Sequence, residues 1–576
     1  MRSSRVARCL AASVVTLCSL ALVGPSGGAE PKTDSAPKTD SAPKTDKAPK
    51  TEKAPEPEEF DVVVYGGTSG GVIAAAQAAM EGKQVALIEP GKHLGGMTSG
   101  GLGATDIGNK GAIGGLARNY YQRMGQQGYK QNEAWTFEPH VAEKFMNSIV
   151  GEVKVYTFRN QRLDLKAGVE KQGAKIVAIR MESGRRFVGR MFIDCTYEGD
   201  LMAKAGVSYS VGREANSEYN ETLDGVQLGS KSHQFKKPVD PYVEPGNPAS
   251  GLLPEIHAGD PGRQGEGDRR VQAYNFRMCL TDVPENQIPF PKPAGYDPKR
   301  YELLLRYLQA GVFDVLGNNQ RMPNGKTDTN NNGGFASDHI GANYDYPDGD
   351  YATRKRIFDD HVAYQQGMMW FLANDPRVPE ATQKQVRRWG LCKDEFTDFG
   401  GWPWQLYVRE ARRMKSDYVM TEHNCQGHAV AEDSIGLAAY GMDSHNVQRY
   451  VKDGYAQNEG DVQVHGFKPY PISYRAIVPK ASECVNLLVP VCLSATHIAY
   501  GSIRMEQVFM VLGQSAGTAA CQAIDNEQEV QKIDIRKLQQ RLVAEGQVLA
   551  WTEPKKKPAA ASAAPAGAGK APAEKN

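Results

Sequence analysis
The residues with the most evident chemistry run Gly66-Gly67-Thr68-Ser69-Gly70-Gly71, followed further along by a carboxylate, Glu89. Glycines at this spacing let a backbone turn approach a pyrophosphate, and a helix starting there offers free N–H groups and the positive end of its dipole. An acid roughly twenty residues on takes ribose hydroxyls. One position departs from the pattern. With Gly66 and Gly71 as the outer glycines, the middle one is Thr68, and its side chain must be accommodated beside the phosphates. The same letters allow a second chemistry, because Gly67-Thr68-Ser69-Gly70-Gly71 matches G-x-S-x-G, the turn that exposes a nucleophilic serine.

The flanking elements favour the nucleotide. Asp61–Tyr65 reads as a buried parallel strand, Val72–Met80 as an Ala-rich helix able to pack close to a sheet, and Gln84–Ile88 as a second strand closed by Glu89. This is also the first strand of the globular part, whereas a nucleophile turn normally follows several strands. Next come Glu89-Pro90 and a second glycine loop, His93–Gly101, in which Gly95, Gly96 and Met97 would lie along the rest of a long cofactor. That length suits FAD better than NAD.

Downstream, Val141–Val150 reads as helix, while Val153–Phe158, Ala174–Met181 and Arg186–Asp194 read as strands of a small sheet. The last of these ends in the polar turn Asp194-Cys195-Thr196-Tyr197, which resembles, with a departure, the Ala-Thr-Gly-like turn of flavoproteins on this plan; that resemblance implies that Thr196 returns to the nucleotide. Near the other end, Val485–Cys492 reads as a strand and about Ile503–Ala523 as one long helix. In the flavoproteins that this segment resembles, the chain returns here to FAD, which implies that a helix start at Gly501, Ser502, Ile503 and Arg504 would stabilise negative charge on a reduced flavin. A second G-x-S-x-G, Gly513–Gly517, falls inside that helix and is a packing feature.

Among the remaining polar residues, His497 is the best candidate for a base or orienting group beside the flavin, with a buried turn histidine as the alternative. Arg409, Glu410, Arg412 and Arg413 occupy a helix-like stretch. Its arginines could clamp a substrate carboxylate or sulfate, or form a solvated basic face. Arg475 precedes an expected strand at Ala476–Val478 and completes the catalytic candidates. Asn275 and Arg277 alternate with Tyr274 and Phe276, as on a strand with one polar face. Asp328-Thr329-Asn330-Asn331-Asn332-Gly333 resembles the start of a calcium loop, but position twelve is His339, so an Asn-rich turn near the active site is expected and no metal. His423 and His465 read as structural.

Composition excludes more than it assigns. Lys+Arg number 68 against 67 Asp+Glu, a net charge of +1, which gives no case for nucleic acid. No C-x-x-C occurs among the cysteines, so an iron–sulfur cluster is not expected. Met1–Arg8 carries three arginines and Cys9–Val23 is apolar but short for a membrane span. With Gly27-Gly28-Ala29 after it, residues 1–29 read as a Sec-type signal peptide, and the mature chain has no integral span. Pro31–Pro57 repeats PKTDSA-like hexads, so 30–57 reads as an extended disordered linker, and 553–576 as a disordered tail.

On these motifs the chain resembles the FAD-dependent oxidoreductases with a glutathione-reductase-like FAD domain, and within them a secreted group loosely called xanthan-lyase-like. The resemblance is carried by VVVYGGTSGGVIAAA at 62–76, HLGGMTSGGLG at 93–103, IDCTYEGDLMAKAGVSYSVGRE at 193–214, QAYNFRMCLTD at 272–282, NGKTDTNNNGG at 324–334, YVREARRM at 407–414 and YGSIRMEQVFMVLGQSAGTAA at 500–520. It implies an α/β fold, a Rossmann-like FAD-binding domain with an inserted α+β substrate domain. The boundaries expected are 58–214 and 481–530 for the FAD-binding parts, 215–480 for the substrate domain and 531–552 for a C-terminal helix. Relatives that serve as heterodisulfide reductase subunits carry cysteine clusters that this chain lacks. The function implied is hydride transfer between flavin and a small organic substrate, sugar derivatives among the candidates, with reoxidation by oxygen or a carrier. Two alternatives stand beside it: a flavin hydroxylase fed by external NAD(P)H, and a non-catalytic carbohydrate-binding protein on this fold.

Overall fold
The structure is a computed structural model that describes residues 58–553; the expected signal peptide, hexad linker and tail lie outside them. β1 (Glu58–Tyr65) is the central strand because Val62, Val63 and Val64 are apolar on both faces and wholly buried. β2 (Val85–Glu89) pairs parallel to it on one side and β6 (Arg186–Asp194) on the other. β3 (Tyr156–Arg159) extends the sheet beyond β2, also parallel. The segments 153–194 therefore do not form a separate small sheet. β6 explains why: its first half alternates and pairs antiparallel with β5 (Lys175–Arg180), which in turn pairs with β4 (Val169–Gln172). Its second half, Met191–Asp194, is buried throughout and joins the parallel core.

A last strand, β12 (Leu487–Leu488), pairs parallel with Phe192 and Ile193. The expected strand Val485–Cys492 is thus cut to two residues. Asn486 ends the ladder on one side by spending its side chain on Ile176 and Arg190, at 2.8–3.0 Å, and Pro490 cannot donate on the other.

α1 (Ser69–Met80) follows the glycine turn and lies against α6 (Glu506–Asp525). A Cβ on Gly513 would stand 2.2 Å from the Gly70 carbonyl oxygen, and one on Gly517 2.7 Å from that of Ala74. The second G-x-S-x-G is therefore a contact face within α6, as its small residues imply. The expected helix 503–523 is two helices, α5 (His497–Ile503) and α6, because Met505 adopts extended backbone between them.

The inserted half contributes a five-stranded antiparallel sheet, ordered β9 (Asn319–Arg321), β10 (Lys326–Thr329), β7 (Met278–Thr281), β11 (Gly390–Cys392) and β8 (Gln287–Ile288). α2 (Met97–Gly100), α3 (Pro139–Glu152) and α4 (Tyr351–Asn374) complete the elements used below, with α7 (Ile535–Ala544) as the C-terminal helix. One hydrophobic cluster runs from Val62 through Phe276 and Leu372 to Leu542, so the two halves share a core. Residues 407–414 are not helical, and Tyr474–Ile477 is a 3-10 turn rather than the start of a strand. The arginines of 407–414 fan into different partners, a spread that a helix face cannot supply.

Candidate active site
The turn after β1 opens a cavity of about 400 Å³ at the carboxyl ends of the parallel strands. Gly66, Thr68, Glu89, Pro90, Gly96 and Thr196 line it, so six of the expected cofactor residues meet at one wall. Gly66 has φ +100°, and a Cβ there would lie 2.7 Å from the Cys195 carbonyl carbon and the Thr196 nitrogen. Thr68 does not obstruct the turn. Its hydroxyl points into the protein, donating to the Cys195 carbonyl at 2.8 Å and accepting from the Gly71 amide at 3.2 Å as the cap of α1. The Ser69 and Gly70 amides have no partner among the described residues, the condition in which a helix start receives a phosphate.

Glu89 faces this cavity and accepts from the Gly67 and Gly91 amides at 2.7 and 2.5 Å. Burial outweighs those two donors and pushes its pKa up to about 7. Its carboxylate therefore gains from further donors, which ribose hydroxyls are. The residues present fit FAD: Glu89 for the ribose and the start of α1 for the pyrophosphate. The raised pKa has a sign. The unfolded acid titrates near 4.5, so between about pH 4.5 and 7 the folded FAD-free protein binds the extra proton and is stabilised by it, an effect lost as pH rises through 7. Glu89→Gln is expected to flatten the pH dependence of FAD-free thermal unfolding in that window and to weaken FAD binding at pH 8, read by fluorescence titration.

Four separate segments are tied together by Glu506 in the first turn of α6. Its buried carboxylate accepts from Ser69 Oγ at 2.6 Å, Thr98 Oγ1 at 2.8 Å and Tyr197 Oη at 2.7 Å. Tyr197 Oη in turn accepts from the Met97 amide at 2.9 Å. Ser69, the serine of the first G-x-S-x-G, is thus wholly buried and bound to an acid, so the nucleophile reading is excluded. Gly95 and Gly96 both have positive φ, and the Gly95 amide donates to the Gly67 carbonyl at 2.7 Å, which joins the two glycine loops. Sequence reasoning missed Glu506, although an acid in the first turn of a helix is a readable signal.

Beyond this wall stands a cluster of charged groups around Tyr407, termed the chamber for its side chains alone. Three guanidinium groups, of Arg277, Arg409 and Arg504, surround the Tyr407 ring, with carbons 6.0, 4.4 and 5.6 Å from its centroid. Arg504 Nη1 donates to Tyr407 Oη at 2.8 Å. Asp106, Tyr407, Tyr440 and Asp443 are partly exposed. The Asp443 carbonyl accepts from Arg504 Nη2 at 2.9 Å, while its carboxylate makes no hydrogen bond among the described residues and stands 3.7 Å from Arg504 Nη2 and 4.0 Å from His445 Nε2. Arg409 Nε and Arg504 Nε are buried and unpartnered. The chamber borders the cofactor cavity: Gln405 and Leu406 line the cavity while Tyr407 and Arg409 serve the chamber, and Gly101 packs on the Arg277 carbonyl.

The sequence candidates fall unequally around this centre. Arg409 is in the chamber, bonded to Asp338 at 3.1 Å, so it is neither on a helix nor solvated. Arg504 is in it as well, but Gly501 packs on the Asp443 backbone, Ser502 Oγ donates to the Tyr440 carbonyl and Ile503 is buried in the core. The helix start expected at Ser502 moves to Glu506, past the break. Arg475 is corrected outright: it is half exposed, paired with Asp433 at 3.0 Å and stacked over Tyr418. His497 is also reassigned. Its Nδ1 meets Glu410 Oε2 at 2.7 Å and its Nε2 meets Ser444 Oγ at 2.9 Å, leaving no ring nitrogen for substrate. Ser444 and Glu410 are fully enclosed, so the three form a brace and not a nucleophilic triad.

Asp328 is no calcium ligand. Arg277 bonds it twice, at 2.7 and 2.8 Å, and the Gly103 and Ala104 amides donate to it at 3.0 and 2.9 Å, so a cation and two amides already use its oxygens. The Asn-rich turn after it positions the site: Asn331 Oδ1 accepts from the Asp338 amide at 3.0 Å. Glu138, His140 and Glu395 are the one group of metal-type ligands among the described residues, and Lys326 Nζ sits between the two carboxylates at 2.7 and 2.6 Å. His445 and Asp443 escaped notice in the sequence because both fall in loop-rich chain with no periodic pattern.

No curated protein is similar enough to match. Solved structures similar over part of the chain include the L-amino acid deaminase from Proteus vulgaris, at 15% identity and a TM-score of 0.23 over 28% of this chain and 53% of that one. L-proline dehydrogenase from P. horikoshii is 13% identical with a TM-score of 0.22, over 28% of this chain and 59% of that one. The anhydrotetracycline hydroxylase OxyS from Streptomyces rimosus is 14% identical with a TM-score of 0.20, over 27% and 36%. The chain thus spans about half the length of these proteins. The sequence model of the FAD dependent oxidoreductase family matches residues 61–542, from the first residues of β1 into α7, and the chain belongs to that family.

Proposed function
We propose that this FAD-dependent oxidoreductase is exported and oxidises a small, sugar-derived substrate by hydride transfer, with oxygen or a soluble carrier taking up the electrons. The observation that carries the reading is the chamber beside the cofactor cavity. It offers an acceptor that is ion-paired but not hydrogen-bonded, the Asp443 carboxylate, and unpartnered donors, the Nε groups of Arg409 and Arg504, against the tyrosine surfaces of 407 and 440. A hydroxyl both donates and accepts, so a polyhydroxylated molecule satisfies such a mixed set better than a simple anion does. Three buried guanidinium groups are also matched by Asp106, Asp328, Asp338 and Asp443, which leaves no surplus of positive charge for an anion. Bound FAD supplies the two-electron acceptor. The chain's own groups bind and orient: Arg504 and Tyr407 fix one hydroxyl, and Asp443 accepts from another.

Export rests on the N-terminal pattern of 1–29, and among the described residues no helix is long and apolar enough to cross a membrane. The test is anaerobic mixing of the holoenzyme with hexoses, uronic acids, alditols, amines and 2-hydroxy acids. Bleaching of the flavin by a sugar-derived member is the expected result. Bleaching by NAD(P)H and by none of these would assign the hydroxylase chemistry instead.

A further inference from the structure
We propose that His445 is the catalytic base of this reaction, its Nε2 taking the hydroxyl proton of a substrate carbinol while Asp338 holds the ring. The inference rests on the sugar-oxidising reading above. Its basis is the tautomer that the neighbours impose. His445 Nδ1 stands 2.6 Å from Asp338 Oδ2, and an ionised carboxylate only accepts, so Nδ1 carries the proton and Nε2 keeps its lone pair. That lone pair has no donor. Asp443 Oδ2 stands 4.0 Å from it, beyond hydrogen-bonding distance. A substrate hydroxyl in the chamber can fill the gap, donating to Nε2 while its oxygen accepts from an arginine.

Asp338 is itself held in place. Arg409 Nη2 donates to its Oδ1 at 3.1 Å, and its amide is fixed by Asn331. Asp338 is therefore a positioning residue. The charged groups around the imidazole are Asp338 and Arg409 behind it, Asp443 in front, Arg504 beyond Asp443, and His233, whose ring stacks on it with centroids 5.5 Å apart and whose Nδ1 is bound to Asp461 at 2.6 Å. Burial first, and then the Arg409 charge, push the pKa of His445 below its ordinary value, which keeps the ring neutral at pH 7. None of the other buried histidines near the site has this combination. His497 has both nitrogens engaged, and His361 spends Nδ1 on the Ile357 carbonyl away from the chamber.

The step balances. The carbinol O–H bond breaks and its proton goes to Nε2. The carbinol C–H bond breaks and its hydrogen leaves with the electron pair, as hydride, to a two-electron acceptor, which bound FAD would supply. A carbonyl forms on the substrate, and the imidazolium, stabilised by Asp338, later gives its proton to water.

Two measurements test it on the FAD-loaded full chain. In histidine-15N-labelled protein, the signals lost in His445→Gln identify His445; a neutral Nδ1–H tautomer at pH 7 is expected, and an imidazolium or an Nε2–H tautomer overturns the proposal. Anaerobic reduction by the same sugars, alditols, amines and 2-hydroxy acids is then compared between wild type and His445→Gln. The variant is expected to keep its flavin absorbance and to be reduced about 100-fold more slowly or worse, with loss of the rise in rate as pH increases through the wild-type ionisation. Equal rates in the two proteins overturn the role of His445 and leave sugar oxidation standing. Reduction of the wild type by amines alone overturns the substrate class. No reduction by any member overturns the reading on which both rest. Asp338→Asn is expected to slow reduction while leaving the apparent substrate affinity nearly unchanged.

Discussion

Glu506→Ala should give a protein without bound FAD and with a large loss of stability. The carboxylate it removes accepts from Ser69, Thr98 and Tyr197, none of which has solvent to turn to. Each stranded buried hydroxyl costs about 1–3 kcal/mol, so the sum is on the order of 5 kcal/mol, a large part of the stability of a typical protein. The second loss is positional. Ser69 begins α1, Thr98 lies in α2, Tyr197 follows β6 and Glu506 begins α6, so one carboxylate sets the spacing of four segments that wall the cofactor cavity. Glu506→Gln keeps an acceptor and can donate to a hydroxyl oxygen, so it should retain much of both properties. Flavin absorbance of the purified variants and their denaturant midpoints check this; a yellow, fully stable alanine variant would show that the tie is incidental.

A second large effect is expected at the Arg277–Asp328 pair. Both side chains are wholly buried, and the pair fastens β10 to the end of the second glycine loop through Gly103 and Ala104. Removing Arg277 leaves the Asp328 charge buried without a cation, which costs about 3–5 kcal/mol, and removing Asp328 leaves Arg277 with Asp106 alone at 3.3 Å. Arg277→Met should therefore destabilise strongly, and so should Asp328→Leu. The double variant should recover part of the loss, because two apolar groups replace two charges. Strictly additive losses in the double-mutant cycle would mean that the two residues act separately.

The cofactor half of the fold was legible because its signals are local. Val62–Val64, the glycine turn, the Ala-rich helix and Glu89 each follow a short-range rule, and each takes the position that the rule implies. Thr68 looked like a flaw only because the sequence does not show that its side chain turns inward to cap α1. The substrate half was poorly legible for the opposite reason. Arg409, His445, Asp443 and Arg277 lie on loops and short strands, and their meaning arises from contacts over long stretches of chain, such as Arg409 with Asp338 and Arg277 with Asp106. Residues 407–414 have the composition of a helix, yet tertiary ion pairs hold them extended: Arg412 to Asp200 and Asp348, Arg413 to Glu214. His497 reads as a base or orienting group beside the flavin, and spacing alone could not reveal that Ser444 and Glu410 would close off both its nitrogens.

The central claim is that the chamber around Tyr407 presents a hydroxylated substrate to the flavin. Anaerobic reduction of the holoenzyme by the sugar panel, run beside Arg504→Met, tests it most directly. Bleaching of the wild type by a sugar-derived compound, with Arg504→Met retaining its flavin but needing far more of that compound, is the predicted result. A wild type bleached by none of the sugars, or an Arg504→Met variant indistinguishable from it, would contradict the account.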